Sequence, residues 1–428
     1  MNLIKIATVV ALMFCGACQS ARLVSIKPVK TALYVPSTTS ADEGSINDGF
    51  TGLKDRYESQ APLKILQSHG MSNHPFGAEK NFATVFGNDV KTYRDLIQVM
   101  TNEVSRVRQR ESFVAAVEAS SEVSFQTNLV AQIDTQLVPI RTGFEWLLGV
   151  EGQVDGYLYQ RVFANPISGR EVQFIYANWG VSAIQDKVAA FYDPANEALR
   201  KRQACANKWL KDGVISWGLS DASRYVGRKQ DAYEKVVLEG FRVLTKDVND
   251  SAPIDLVVVV KSLGSSVALS ALLKQDSTKV DTVALYLLSH QWSLVGGALR
   301  ASEEGSSPAS DGANPAGFAL QLADSTDRQA GHILEVFANN FKPQGRIFQG
   351  DGEQPHWLEV TAFTDPNDLL SYPLPDILGA NMLARNVYVK NRVFAVPGFV
   401  VSPTTHNEYD SNKALIKFMV TNEGPEQK

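Results

Sequence analysis

Ile254-Asp255-Leu256-Val257-Val258-Val259-Val260-Lys261-Ser262-Leu263-Gly264-Ser265-Ser266-Val267-Ala268-Leu269 is the stretch on which the fold turns. A run this apolar and β-branched suits a strand buried on both faces, and the small residues behind it suit a helix packed closely on the same sheet. Ser262 falls between the two. A serine at a sharp strand-to-helix turn has its Oγ pushed clear of the sheet. The amide that follows, and the helix N-terminus, then point to where negative charge develops during acyl transfer.

Outward from that stretch, short apolar runs at 63–67, 172–177, 283–288, 358–363 and 392–396 alternate with helical patterns. The alternation predicts an α/β protein with a mainly parallel sheet flanked by helices. Two spacings exceed what a strand-helix-strand unit needs. The first, an insertion near 80–170, is expected to hold a charged helix over 90–119 and a hairpin whose strand at 157–163 returns at Glu171. The second, near 180–250, reads as helices at 194–211 and 230–244, both expected as lid or cap elements. The Ser/Gly/Ala-rich stretch 301–317 reads as a loop.

The Ser-Leu-Gly-Ser segment at 262–265 resembles the nucleophile elbow of α/β-hydrolases, in the form seen in lipases and esterases. The family resemblance implies the α/β-hydrolase fold and Ser262 as nucleophile. Val260 departs from the pattern, because glycine or another small residue is usual two positions before the serine. A second match to the elbow spacing, Gly218-Leu219-Ser220-Asp221-Ala222, follows no strand and is assigned to the lid region. Upstream, Ser68-His69-Gly70-Met71 resembles the His-Gly segment that follows a strand in such hydrolases; by that resemblance the amides of Met71 and Leu263 form the oxyanion hole.

The segment Thr364-Asp365-Pro366-Asn367-Asp368-Leu369-Leu370 resembles the acid-bearing segment of class 3 lipases, which aligns Asp368 with the catalytic acid and leaves Asp365 as the alternative acid. Asp365 precedes a proline, a pairing typical of turns in which the carboxylate caps local amides. His406 lies in the polar loop Pro403-Thr404-Thr405-His406-Asn407 behind the last apolar run, where this fold carries its general base. Ser262, Asp368 and His406 then follow the chain order Ser, Asp, His. His290 is read as a residue that lines the pocket, and His332 and His356 as ordinary loop or helix residues. A metal pair from His69 and His74 lacks an acidic third ligand, so neither a metal nor a cofactor is expected.

At the N-terminus one cation, Lys5, precedes an apolar run and then Gly16-Ala17-Cys18. That run is too short to span a bilayer. It resembles a bacterial lipoprotein signal over 1–17, with Cys18 as the acylated residue, though Cys15 stands where leucine is preferred. Gln19 behind it implies sorting to the outer membrane of the cell envelope. Residues 18–60, rich in small and polar residues, are expected to form a flexible tether, and 61–428 the hydrolase domain with its insertions. After processing only Cys205 remains as a free thiol, which excludes an intrachain disulfide or a cysteine metal cluster. A net charge of −5 without basic runs argues against nucleic acid as a partner.

The sequence therefore predicts a serine hydrolase acting on carboxylic esters, small-molecule or lipid, and held at a membrane by an N-terminal acyl anchor. Two alternatives stay open: a thioesterase or amidase using the same triad, and a catalytically inactive binding or scaffold protein, for which Val260 is the argument.

Overall fold

A computed structural model describes residues 18–19, 22–29, 50–52, 56, 62–70, 137–141, 154–164, 171–180, 220–227, 230–248, 253–275, 277–292, 334–341, 356–377, 381–391, 393–396, 399–400, 405–406, 409, 412, 414–415, 418–419 and 422. The Ile254–Lys261 run is a strand, and all of its residues but Lys261 are buried. Its alternate residues divide between two cores, as the two-residue period of a strand dictates. Leu256, Val258 and Val260 join one cluster, while Val257 and Val259 join the other. A parallel sheet covered on both faces requires this double burial.

In chain order the strands are β1 (Cys18–Gln19), β2 (Arg22–Pro28), β3 (Leu63–Ser68), β4 (Leu137–Arg141), β5 (Val154–Ala164), β6 (Glu171–Trp179), β7 (Ile254–Lys261), β8 (Val280–Leu288), β9 (Leu358–Thr364), β10 (Met382–Lys390), β11 (Val393–Val396) and β12 (Phe399–Val400). The helices are α1 (Ser220–Gly227), α2 (Gln230–Thr245) and α3 (Gly264–Leu273). Nine strands form the central sheet in the order β2-β10-β9-β8-β7-β3-β6-β5-β4, and β1, β11 and β12 form a small separate sheet. From β10 to β6 every neighbouring pair is parallel, while β2 and β5 run against their neighbours. The chain is thus an α/β protein with a mostly parallel sheet.

On one face α2 contributes Tyr233, Val236, Val237, Phe241 and Leu244 to the larger core, together with α3 and the helical segment 334–340. On the other, Tyr409, Leu415, Phe418 and Met419 from the C-terminal end cover Val257, Val259, Tyr286 and Val387.

Several expectations change. Helix α2, anticipated as part of a lid, is a core helix packed against β6, β5 and β3, because its apolar residues recur at helical spacing on one side. Strands β4 and β5, anticipated inside an insertion, extend the central sheet beyond β6, although the hairpin from β5 to β6 pairs as expected. The apolar run at 392–396 is not the last strand of the main sheet; β11 belongs to the small sheet and β10 takes that place. Buried Arg385 and Asn386 break the apolar pattern of β10. Their polar groups are satisfied by Thr361 and Asn422, and by both backbone groups of Leu374. The expected tether at 18–60 also contributes structure, since β2 pairs with β10 through Arg22↔Lys390 to Pro28↔Arg385. The helices expected at 90–119 and 194–211, and the loop at 301–317, lie outside the described residues.

Arg56 closes the edge where β7, β8 and β9 begin. Its guanidinium, 1% exposed, lies 3.1 Å from Glu359 on β9 and donates to Thr282 of β8 at 2.8 Å, and Thr282 donates in turn to Asp255 of β7 at 2.8 Å. Burial pushes the Glu359 carboxyl up, yet the adjacent Arg56 charge and His356, 3.5 Å away, hold it net below the ordinary carboxylate value. Such a group stabilises the fold above its unfolded pKa, and that stability is lost as pH falls through the folded value. Glu359→Gln takes from buried Arg56 the carboxylate that pairs with it and is expected to cost up to about 3–5 kcal/mol. Urea melts across the acid range check this: the variant should start lower at neutral pH and show a flatter acid limb than the wild type.

Candidate active site

Parallel pairing aligns the strand ends. Lys261 lies opposite Leu288, Leu288 opposite Phe363, and Thr364 opposite Tyr388, so β7, β8, β9 and β10 all terminate along one edge of the sheet. Ligand sites in open α/β sheets form outside such carboxyl ends.

Ser262 follows β7 with φ +52, in the left-handed region that serine rarely adopts. Its amide donates to the Leu288 carbonyl at 2.9 Å, tying the turn to β8. Its carbonyl accepts the Ser265 amide at 3.1 Å and the Ser265 hydroxyl at 2.6 Å, which closes the first turn of α3. Ser262 Oγ is buried and has no hydrogen-bond partner among the described residues. The Leu263 N–H, at the cap of α3, likewise has none among the described residues, as the first amides of a helix lack partners within it.

Two glycines let the chain end of β3 meet this turn. A Cβ on Gly264 would lie 2.0 Å from the His69 carbonyl oxygen, and one on Gly70 would lie 2.7 Å from Ser262 Cβ. His69 is held by its surroundings: its ring stacks on Trp179 at 4.3 Å, Nε2 accepts the Trp179 amide at 3.1 Å, and Nδ1 lies 2.6 Å from the Gly70 carbonyl. Those partners assign the proton to Nδ1. His69 therefore shapes the loop backbone. Met71, the other expected oxyanion amide, lies outside the described residues, as does His74.

Asp368 and His406 come together. His406 Nδ1 is 2.9 Å from Asp368 Oδ2, and the Leu370 amide donates to Asp368 Oδ1 at 3.0 Å. Burial pushes the Asp368 carboxyl up, but hydrogen bonds from His406, Ser289 and Leu370 hold it net below the ordinary carboxylate value. Asp365 has a different environment. Its carboxylate accepts the amides of Asn367 at 2.9 Å and Asn391 at 2.7 Å, and burial leaves its carboxyl net raised. Asn391 carries the link onward, donating from its side chain to the Thr405 carbonyl at 3.1 Å and accepting from Asn412 at 2.9 Å. Asp365 thus braces the loop that bears His406 and does not touch the imidazole.

Ser289 is the residue that sequence reasoning passed over. It follows β8 with φ +54, is buried, and its hydroxyl lies 2.7 Å from Asp368 Oδ2 and 2.8 Å from His406 Nδ1. A small polar residue at the carboxyl end of an apolar parallel strand is the signal that marks it. His290 is fully buried, and burial pushes its imidazole down to about 3, so it stays neutral. Val260 keeps regular pairing with Ser68 and Leu287 and packs in the core, and the strained φ lies at Ser262 instead.

The other candidates fall elsewhere. Ser220 opens α1, whose Asp221 accepts the Tyr233 hydroxyl at 3.3 Å. His356 belongs to the buried Arg56–Glu359 cluster, and His332 and Cys205 lie outside the described residues. Among the described residues no group of His, Cys, Asp or Glu could hold a metal ion, and no helix is long and apolar enough to cross a membrane. A scan against protein-family models, a search of curated proteins and a search of solved structures each returned no match.

Gly264→Ala sets a Cβ against backbone and should distort the elbow at a cost of at least about 1–3 kcal/mol. Gly240→Ala, whose Cβ would meet the flexible end of Leu66 at 3.1 Å, is the milder change. Thermal melts of both should rank them in that order. Asp365→Asn turns one accepting oxygen into a donor facing an N–H, so it should lose about 1–3 kcal/mol while the Asp368–His406 pair survives; melts and the imidazole proton spectrum together check it.

Proposed function

We propose that this protein is a serine hydrolase of the α/β-hydrolase fold, cleaving carboxylic esters through an acyl-enzyme on Ser262. The observation that carries the reading is a strained serine, its Oγ without a hydrogen bond among the described residues, at the carboxyl end of a parallel strand on the same sheet edge as a buried Asp368–His406 pair. In this mechanism Asp368 keeps the Nδ1 proton of His406 engaged, which leaves Nε2 free to act as the base. Nε2 takes the proton of Ser262 Oγ as that oxygen bonds to the ester carbonyl carbon. The Leu263 amide, with Met71 as the family resemblance implies, stabilises the oxyanion. Collapse expels the alcohol, which takes the proton from His406, and water then cleaves the acyl-enzyme by the same steps.

The inactive-scaffold alternative drew on Val260, and the regular backbone at that position weakens it. Thioester and amide substrates would use the same residues; the ester reading follows the elbow's likeness to lipases and esterases.

We further propose that Cys18 is acylated and that the enzyme works at the envelope membrane. Strand β2 starts at Arg22 opposite Lys390, at the edge of the sheet where Ser262 and Asp368 lie, so an anchor at Cys18 would hold that edge near the lipid. Leu369, beside the acid, is 76% exposed there. Acyl lipids are then natural substrates.

A fluorophosphonate probe should label the wild type at Ser262. Ser262→Ala should abolish labelling and turnover with the fold intact, and Ser220→Ala should keep activity within a few-fold; labelling that survives Ser262→Ala overturns the assignment. Asp368→Asn should lower turnover by about 10⁴. Mass spectrometry of the mature protein should find acyl chains on an N-terminal Cys18, and an unmodified cysteine there would remove the anchor from the reading.

A further inference from the structure

We infer that Ser289 is a positioning residue that completes the Asp368–His406 pair, an inference that rests on the acyl-transfer reading above. Three heavy atoms from three separate segments of the chain form a closed triangle: Ser289 Oγ to Asp368 Oδ2 at 2.7 Å, Ser289 Oγ to His406 Nδ1 at 2.8 Å, and His406 Nδ1 to Asp368 Oδ2 at 2.9 Å. Proton counting fixes the roles. The ionised Asp368 only accepts, so the Ser289 hydroxyl donates to Oδ2. Its oxygen lone pair then faces Nδ1, and the single Nδ1–H is shared between the carboxylate and the hydroxyl. An imidazole with its proton on Nε2 would leave Asp368 facing a bare lone pair, so the triangle selects the tautomer whose Nε2 is the base. It also resists rotation of the ring, since two acceptors on different elements must both be kept.

The backbone supports this role. Ser289 adopts φ +54 and its amide donates to the Phe363 carbonyl of β9 at 3.0 Å. Backbone strain of this kind persists only where the surroundings over-determine it, and it concentrates at functional sites. With that geometry the hydroxyl reaches Asp368 and His406 together. Among the described residues Ser262 Oγ makes no hydrogen bond, and the imidazole is held on its Nδ1 side by Asp368 and Ser289.

The test is a kinetic cycle on the full chain with a soluble ester. Ser289→Ala should lower kcat by about 10–100-fold, the scale of one hydrogen bond to a charged group, with KM unchanged. Ser289→Gly, which relieves the positive φ while removing the same hydroxyl, should lose as much, which separates the hydroxyl from backbone strain. In an Asp368→Asn background Ser289→Ala should cost little more, because residues acting as one unit are non-additive. The far-downfield proton of His406 Nδ1–H, read by NMR without any substrate, should move in both Ser289 variants. An unchanged kcat, an equal loss in both backgrounds, or an unmoved resonance overturns the role of Ser289. Failure of a fluorophosphonate to label the wild type overturns the hydrolase reading instead, and leaves the NMR result to judge the triangle.

Discussion

The contact between the end of β3 and the turn after β7 is the constraint from which the rest of the site follows. Parallel neighbours in a sheet are held apart by their hydrogen-bond spacing, and side chains at their ends normally keep the following loops from closing further. Here residues 70 and 264 carry no side chain, and the His69 carbonyl occupies the space that a Cβ of residue 264 would need. Ser262 takes up the bend as a positive φ, and α3 can start immediately behind it. Trp179 holds the other side of His69 by stacking and by its backbone amide, so β6 also contributes to the shape of the turn.

The two edges of the sheet have separate physical tasks. Where β7, β8 and β9 begin, Arg56, Glu359, Thr282 and Asp255 form a buried ionic and hydrogen-bonded clamp. Buried ion pairs add little net energy over apolar packing, but an unpartnered member is costly, so the cluster penalises arrangements that separate its members more than it raises stability. Where the same strands end, Ser262, Ser289 and Asp368 follow β7, β8 and β9, and Ser289 and Asp368 meet His406 at hydrogen-bond distance. A rigid start to each strand lets loops at its end hold groups at hydrogen-bond distances across long stretches of sequence.

Two aspartates three residues apart illustrate how environment divides similar groups. Asp365 accepts backbone amides from its own turn and from Asn391, and through Asn391 it steadies the Thr405–His406 segment. Asp368 turns one oxygen to the Leu370 amide and the other to His406 and Ser289. One carboxyl sits above its ordinary pKa because burial dominates, the other below because charge-assisted partners outweigh the burial. The division matches the turn grammar of Asp-Pro, in which the first aspartate is used by the local backbone.

Much of this was legible in local pattern. The apolar run of β7, the small residues of α3, and the strands β3, β6, β8 and β9 could be read directly, because a doubly buried strand and a packed helix impose residue types on short windows. The neighbouring Asp368 and His406 could be nominated from the segments that bear them. Strand β10 could not, because its buried Arg385 and Asn386 depend on partners more than ten residues away. Nor could β2, whose alternation sits inside a polar stretch and gains meaning only beside β10. Helix α2 showed its period in the sequence, but whether it covered the core or a site depended on which sheet face lay beneath it. Ser289 carried only a general sign, a small polar residue just past an apolar strand. Sequence alone determined the elements whose residue types near neighbours impose, such as β7 and α3; the tertiary structure alone decided the places of β2 and β10 and the meeting of Ser289, Asp368 and His406 in one triangle, since register and close backbone approach are properties of the assembled sheet.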